Sequence, residues 1–279
     1  MISWFLFLMG LICILFVIYP YTIYPLILYF LPRKHIQIID DHAVESLKVA
    51  LVFCAYNEER ALPEKIENIR ELKKIFPALE VYAYSDASTD QTNDILNEAN
   101  DVLHPVIGEE RIGKVLGMQK LLSKTDSEII IFTDANVNLD AQCLPKLIKY
   151  FSNPEIGCVS CKLLYKGIDT TTAKVGGLYW KLEEKIKSLE SQTGSTMGAD
   201  GAIFARRREG YPDIPPNMVD DMAASMSIIF DKKQCISASD VVAYENAVSS
   251  SAEEFRRKMR IACGSYSTYL YQRNHIKKM

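Results

Sequence analysis

Apolar side chains are spaced along this chain in three ways, and each spacing predicts a different kind of element. From Met1 to Pro32 no side chain is charged, and most are Leu, Ile, Phe, Val or Tyr. A bilayer core takes about 20 apolar residues as helix, so residues 1–32 are predicted to form a membrane-spanning anchor. Pro20 and Pro25 are expected to kink the span or end it, leaving Tyr21 to Phe30 near the interface. A cleaved signal peptide would open on Lys or Arg and close on small residues, and this stretch does neither. Buried core helices rarely run this long without a charge.

Beyond a polar linker over 33–46, short apolar runs alternate with apolar residues at helical spacing. Leu47 to Ala55, Leu79 to Tyr84, a weaker Asp101 to Ile107, Glu128 to Phe132 and the segment around Cys158 read as strands. Between them, Leu62, Ile66, Ile69 and Leu72 mark one helix, and others follow Asp90, Lys114 and Pro145. A helix from about Thr172 to Leu189 precedes a less regular remainder of loops and shorter helices. This alternation predicts an α/β fold on a largely parallel sheet, with a catalytic domain over 47–265 and a tail over 266–279. Ligands of such sheets bind at the carboxyl ends of the strands. Asn57, Asp86 and Asp134 all fall there, which puts three polar groups on one rim.

Composition narrows the partners. A net charge of -3 and a single short basic run, Arg206 to Arg208, argue against a nucleic-acid binder. The 7 cysteines have no disulfide-framework spacing. Cys158 and Cys161 form a CxxC with no second pair or nearby His, so a buried strand explains them better than zinc does. Reduced thiols point to a cytoplasmic domain. Arg33 and Lys34 follow the apolar stretch and nothing positive precedes it, which predicts a single pass with the N-terminus outside.

Several polar positions could carry chemistry. Asp134 and Asn136 offer oxygen ligands on one side of an extended segment after the strongest strand, although Asp and Asn there also cap helices. Asp86 could hold a base or ribose, whereas Asp90 reads as a cap. Lys114 can meet a phosphate as a point charge or stand on the surface. Asp220 and Asp221 enter a predicted helix about 100° apart, so one can face a site while the other caps. In a dry pocket such a carboxylate has a raised pKa and makes a better base. Arg257 and Arg260, one turn apart, can reach the same anion.

The order of these clusters resembles the inverting family 2 glycosyltransferases. It runs Ala55-Tyr56-Asn57-Glu58-Glu59, then Ser85-Asp86-Ala87-Ser88-Thr89-Asp90, Arg111-Ile112-Gly113-Lys114 and Thr133-Asp134-Ala135-Asn136. A Gly-Ala-rich segment from Gly198, the acidic pair Asp220-Asp221 and an Arg-rich helix with Arg257 and Arg260 continue it. The resemblance implies a GT-A Rossmann-like fold, a nucleotide-diphosphate sugar donor (a UDP-sugar first) and a divalent cation, Mg or Mn. It implies a saccharide or lipid-linked acceptor at the membrane, for cell-surface polysaccharide or glycolipid synthesis. By position it places Tyr56, Glu58, Asp86, Lys114 and Asp134 at the nucleotide sugar, and Asp134 with Asn136 at the metal. Asp221 becomes the general base, and Asp220, Arg257 and Arg260 stand on the acceptor and diphosphate side.

Three departures qualify the resemblance. The usual Asp-any-Asp is Asp-Ala-Asn here, the usual Glu-Asp is Asp-Asp, and no Gln-any-any-Arg-Trp marks a processive enzyme. Membrane members usually carry further spanning helices after the Arg-rich helix, and no second apolar stretch precedes Met279. A short form, a truncated product and one half of a split system all remain open. The alternative function is a catalytically poor sugar-nucleotide-binding subunit working with other membrane subunits.

Overall fold

The computed structural model describes residues 2–34, 36, 38, 47–166, 171–216, 218–246 and 251–276, so most of the expected 33–46 linker lies outside the described residues. The strands are β1 Val49–Ala55, β2 Glu80–Ser85, β3 His104–Ile107, β4 Ile129–Asp134, β5 Val137–Leu139, β6 Ile156–Lys166, β7 Ile203–Arg207 and β8 Gln234–Asn246. They form one sheet in the order β3-β2-β1-β4-β7-β6-β8-β5. The helices of this domain are α3 Leu62–Ile75, α4 Thr92–Glu98, α5 Lys114–Leu122, α6 Leu144–Lys149, α7 Thr171–Thr193, α8 Asp220–Phe230 and α9 Ser251–Ile276.

Strand alternation divides the core into two layers. Val49, Leu51, Phe53 and Ala55 of β1 pack with α3, α4 and α6, while Ala50 and Val52 pack with α5 and α8. Because both faces are covered, β1 and β4 are nearly continuous apolar runs, as buried parallel strands must be.

The expected largely parallel sheet is present, with β7 and β5 reversed among the described strands. β3, β2, β1 and β4 are parallel to one another and β6 is parallel to β8, but β7 runs antiparallel to both β4 and β6, and β5 antiparallel to β8. The reversal follows from where the chain enters β7. Ala202 meets the end of β4, its carbonyl accepting from Asp134 N at 3.0 Å. The loop before β7 therefore lies on the rim where β1, β2 and β4 end. The remainder expected as loops and shorter helices also contains the 13-residue β8 and the 26-residue α9. The boundary expected at 265/266 falls inside α9.

At the N-terminus, α1 Ile2–Ile18 and α2 Ile23–Phe30 flank a 3-10 turn, Tyr19–Tyr21, that contains Pro20. No single helix among the described residues is long and apolar enough to cross a membrane. The stretches Leu6–Tyr21 and Ile23–Phe30, bent by 46°, meet the length and composition requirement together. Pro20 sits at the break, whereas Pro25 lies in the first turn of α2, where a missing N–H loses no helical bond. Nearly all of α1 is exposed apolar surface. By contrast α2 docks on α7, with Tyr24 Oη donating to Glu190 Oε1 at 2.6 Å, and beyond α2 Lys34 N donates to the Gln192 carbonyl at 2.5 Å.

Candidate active site

The rim is assembled from loops that bond to one another. At the end of β1, Asn57 takes a left-handed φ of 55°, which Asn tolerates, and Ala87 after β2 takes 56°, which costs an alanine about 1–3 kcal/mol. Asn57 Oδ1 accepts from Thr89 N at 2.9 Å, and Glu58 N donates to Thr92 Oγ1 at 2.8 Å. Asp90 is the cap expected of it, accepting from Thr92 N at 3.0 Å, and its other oxygen receives Glu59 N at 3.2 Å.

Asp86 is buried at the carboxyl end of β2. Its carboxylate accepts from Ile112 N at 2.8 Å and Gly113 N at 3.1 Å, with Arg111 Nε at 3.8 Å. Gly113 there has φ 84°, a conformation most side chains resist. Thus Asp86 fixes the backbone that launches α5 and aims Lys114 inward. Arg111 folds back over Tyr56, its guanidinium carbon 3.6 Å from the ring centroid.

Lys114 is the hub. Its Nζ lies 2.8 Å from Asp134 Oδ1 and 3.5 Å from Asp220 Oδ2. Burial pulls its pKa down, but Asp134 and Asp220 outweigh this and hold it well above the ordinary lysine value. The ammonium stays charged. Cys54 lies beneath, its Sγ 3.6 Å from the Lys114 carbonyl, and its thiol, pushed up mainly by burial, feels the charges of Lys114, Asp220, Asp86 and Asp134. Glu58 is raised too, by burial and then by Asp134 and Asp90.

Asp221 follows at the start of α8. Burial and the neighbouring Asp220 raise its pKa to about 7, with Lys114 opposing. One oxygen accepts from Met222 N. The other lies against Gly201, where an added Cβ would come within 1.9 Å of it. Only glycine leaves room for that carboxylate.

Asn136 Nδ2 donates to Glu245 Oε1 at 3.2 Å. A carboxylate only accepts, so the amide must turn its nitrogen toward Glu245, which leaves Oδ1 as an acceptor for another group. Among the described residues no group of three or more His, Cys, Asp and Glu is arranged to hold a metal ion. Asp134 and Asn136 supply two hard oxygen ligands, a set suited to a cation that takes its other ligands from phosphate and water.

The structure brings together Asp134, Lys114, Asp220 and Asp221, with Asp86, Tyr56 and Glu58 on the adjoining loops. Arg260 is exposed on α9, and the Arg257 side chain lies outside the described residues. Arg111, Gly201 and Glu245 were not among the residues picked from sequence. Arg111 and Gly201 stand inside quoted motifs, but Glu245 belongs to β8, a strand the sequence did not suggest. A cavity of about 710 Å³ lies elsewhere, lined by Glu67, Glu71, Asn138, Asp140 and Tyr244 among others.

Strands β1 to β4 with an acidic rim around one lysine define a GT-A nucleotide-sugar domain. The model of the family "Glycosyl transferase family 2" matches residues 50–214, more than half of the chain, and the chain belongs to that family. It is 25% identical over 114 residues to Protein RfbJ of Shigella flexneri, covering 41% of this chain and 84% of that one. It is 26% identical over 160 residues to the bactoprenol glucosyl transferase of Shigella phage SfX, covering 53% of this chain and 50% of that one. This chain thus spans half the length of the phage protein. Among solved structures, the mannosyltransferase PcManGT from Pyrobaculum calidifontis, in complex with GDP-Man and Mn2+, superposes with a TM-score of 0.69 at 22% identity. The superposition covers 85% of this chain and 69% of that one, and it supports the GT-A fold.

Proposed function

We propose that this chain transfers a sugar from a nucleotide-diphosphate donor to a saccharide or lipid-linked acceptor at a membrane, with inversion at the anomeric carbon. The observation that carries this is Lys114 between Asp134 and Asp220, with Asp221 beside them at a pKa of about 7. Lys114, held charged by its neighbours, can meet a diphosphate as a point charge, and a half-neutral carboxylate is suited to taking a proton at neutral pH.

Tyr56, Glu58, Asp86 and Arg111 line the nucleotide side, with Asp86 shaping the loop from Arg111 to Lys114. Asp221 accepts the proton of the acceptor hydroxyl as its oxygen attacks the anomeric carbon. The bond from that carbon to the β-phosphate oxygen breaks on the opposite face, and Lys114 stabilises the departing diphosphate. A divalent cation, Mg or Mn, held by Asp134 and the Asn136 amide oxygen, would supply further neutralisation of the diphosphate.

Contacts between α8 and α9 support a diphosphate role for Arg257 and Arg260. Val219 touches Gly264 and bonds to Thr268, and Ala223 bonds to Gln272, so the two helices run in the same direction. The turns of α9 before Gly264 therefore overhang the start of α8, where Asp220 and Asp221 stand. Arg260 is one turn before Gly264 and Arg257 one turn further.

The bent apolar pair α1 and α2 supports membrane attachment, and Arg33 with Lys34 supports a cytoplasmic catalytic domain. The name of the phage relative supports a polyprenyl-linked acceptor. The second reading, a binding subunit of poor activity, draws on Asn136 in place of a carboxylate.

A panel of UDP- and GDP-sugars with Mn2+ or Mg2+ and a polyprenyl-phosphate acceptor tests these readings. Metal-dependent release of UDP or GDP with one donor is expected. Tight nucleotide binding without release under any condition selects the subunit reading, and absence of binding removes both.

A further inference from the structure

Helix α3 buries two polar side chains, one turn apart, against the segment that follows β4. Lys65 is 1% exposed and Asn68 8%. Lys65 Nζ donates to Thr133 Oγ1 at 3.1 Å and to the Val137 carbonyl, and it sits over the Phe53 ring at 5.6 Å from the centroid. The Thr133 hydroxyl in turn donates to the Asp134 carbonyl at 3.2 Å. Asn68 grips Leu139 on both sides of its backbone, donating to its carbonyl at 2.7 Å and accepting from its amide at 3.1 Å.

Thr133 and Val137 are the residues immediately before and after Asp134-Ala135-Asn136. One ammonium therefore ties both ends of that turn together from behind, while Asn68 fixes the strand that leaves it. We infer that Lys65 is a positioning residue: by spanning Thr133 and Val137 it sets the separation and direction of the Asp134 carboxylate and the Asn136 amide oxygen, and so the turn's affinity for a divalent cation. This rests on the metal-dependent reading above.

Stability alone does not explain a lysine at this position. Its described partners are two neutral oxygens and an aromatic ring, and a buried ammonium without a carboxylate against it is costly. Burial draws its pKa down to about 7, with Asp134 pulling the other way. An unbranched apolar side chain of similar length would suit the surrounding core better. The residue that best serves the turn is not the one that best serves the core.

Two variants of the full chain test the inference: Lys65→Met, which is unbranched, one atom shorter and uncharged, and Thr133→Val, which removes one acceptor at constant shape. Mn2+ binding is read by electron paramagnetic resonance with UDP or GDP present, alongside metal-free nucleotide affinity and Tm. Mn2+ affinity should fall about tenfold in Lys65→Met and by a smaller factor in Thr133→Val, as for other residues that orient metal ligands. Tm should hold or rise, and metal-free nucleotide affinity should hold. Wild-type Mn2+ affinity in the variants overturns the inference, as does a fall in Tm accompanied by lost nucleotide binding. If Lys65→Met fails to fold, Thr133→Val decides alone by the same criteria. A wild-type protein that binds nucleotide and Mn2+ normally while the variants match it sinks only this inference. A wild type that binds neither removes the functional reading, and the inference with it.

Discussion

Asp221→Asn should lower turnover by about 10³-fold while nucleotide affinity stays within about twofold of wild type, because only the proton acceptor is lost. Calorimetry for the nucleotide and a product-release assay check the two halves separately. In the wild type, the rate should climb with pH through about 7, where Asp221 is half ionised, and level once the carboxylate is fully ionised above that. The variant should show a low rate without that rise. An unchanged profile in the variant would move the base to another residue.

The same residue makes a stability prediction of opposite sign. Burial and Asp220 raise its folded-state pKa to about 7, with Lys114 opposing. The unfolded chain releases this proton near pH 4, at the ordinary aspartate value of about 3.9. Between the two values the folded protein holds a proton that the unfolded chain has lost, so stability declines as pH rises through that window. Asparagine stays neutral throughout. The variant should therefore be more stable than wild type at pH 8, by at most about 4 kcal/mol, with the gain vanishing near pH 4. Urea denaturation at the two pH values reads this directly.

The second large effect is expected at Asp134. In Asp134→Asn the shape is kept, but Lys114 loses its 2.8 Å partner and the metal turn loses its only carboxylate. Turnover should fall by about 10³-fold, in line with loss of electrostatic stabilisation at a leaving group. Mn2+ should no longer change nucleotide affinity. Because Asp220 remains 3.5 Å from Lys114, the fold and metal-free nucleotide binding should survive. Retained stimulation by Mn2+ would place the metal elsewhere.

The sequence made much of this legible, and the reasons are physical. β1 and β4 are buried on both faces, which leaves an unbroken apolar signature such as Val-Ala-Leu-Val-Phe. Their carboxyl ends then meet polar residues abruptly, so the rim positions Asn57, Asp86 and Asp134 could be read directly. β8 was hidden because its alternation is interrupted. Its pairing with β6 shifts register between Cys161 and Lys162, and Ser239 and Asp240 stand exposed there. Missing β8 meant missing Glu245, whose contact with Asn136 crosses 109 positions of sequence. Lys65 left no signal either. On a helix whose neighbours are Glu64 and Glu67 it reads as one more surface charge, and only the packing of α3 onto the turn after β4 shows it buried. The reversal of β7 was equally invisible, since five residues of strand do not state their direction.

A structure of the chain with UDP or GDP and Mn2+ bound tests the account most directly. The diphosphate should contact Lys114, the metal should sit on Asp134 and the Asn136 oxygen, and the base should lie beside Tyr56. A nucleotide seated elsewhere, such as in the cavity of about 710 Å³ beside α3, would contradict it.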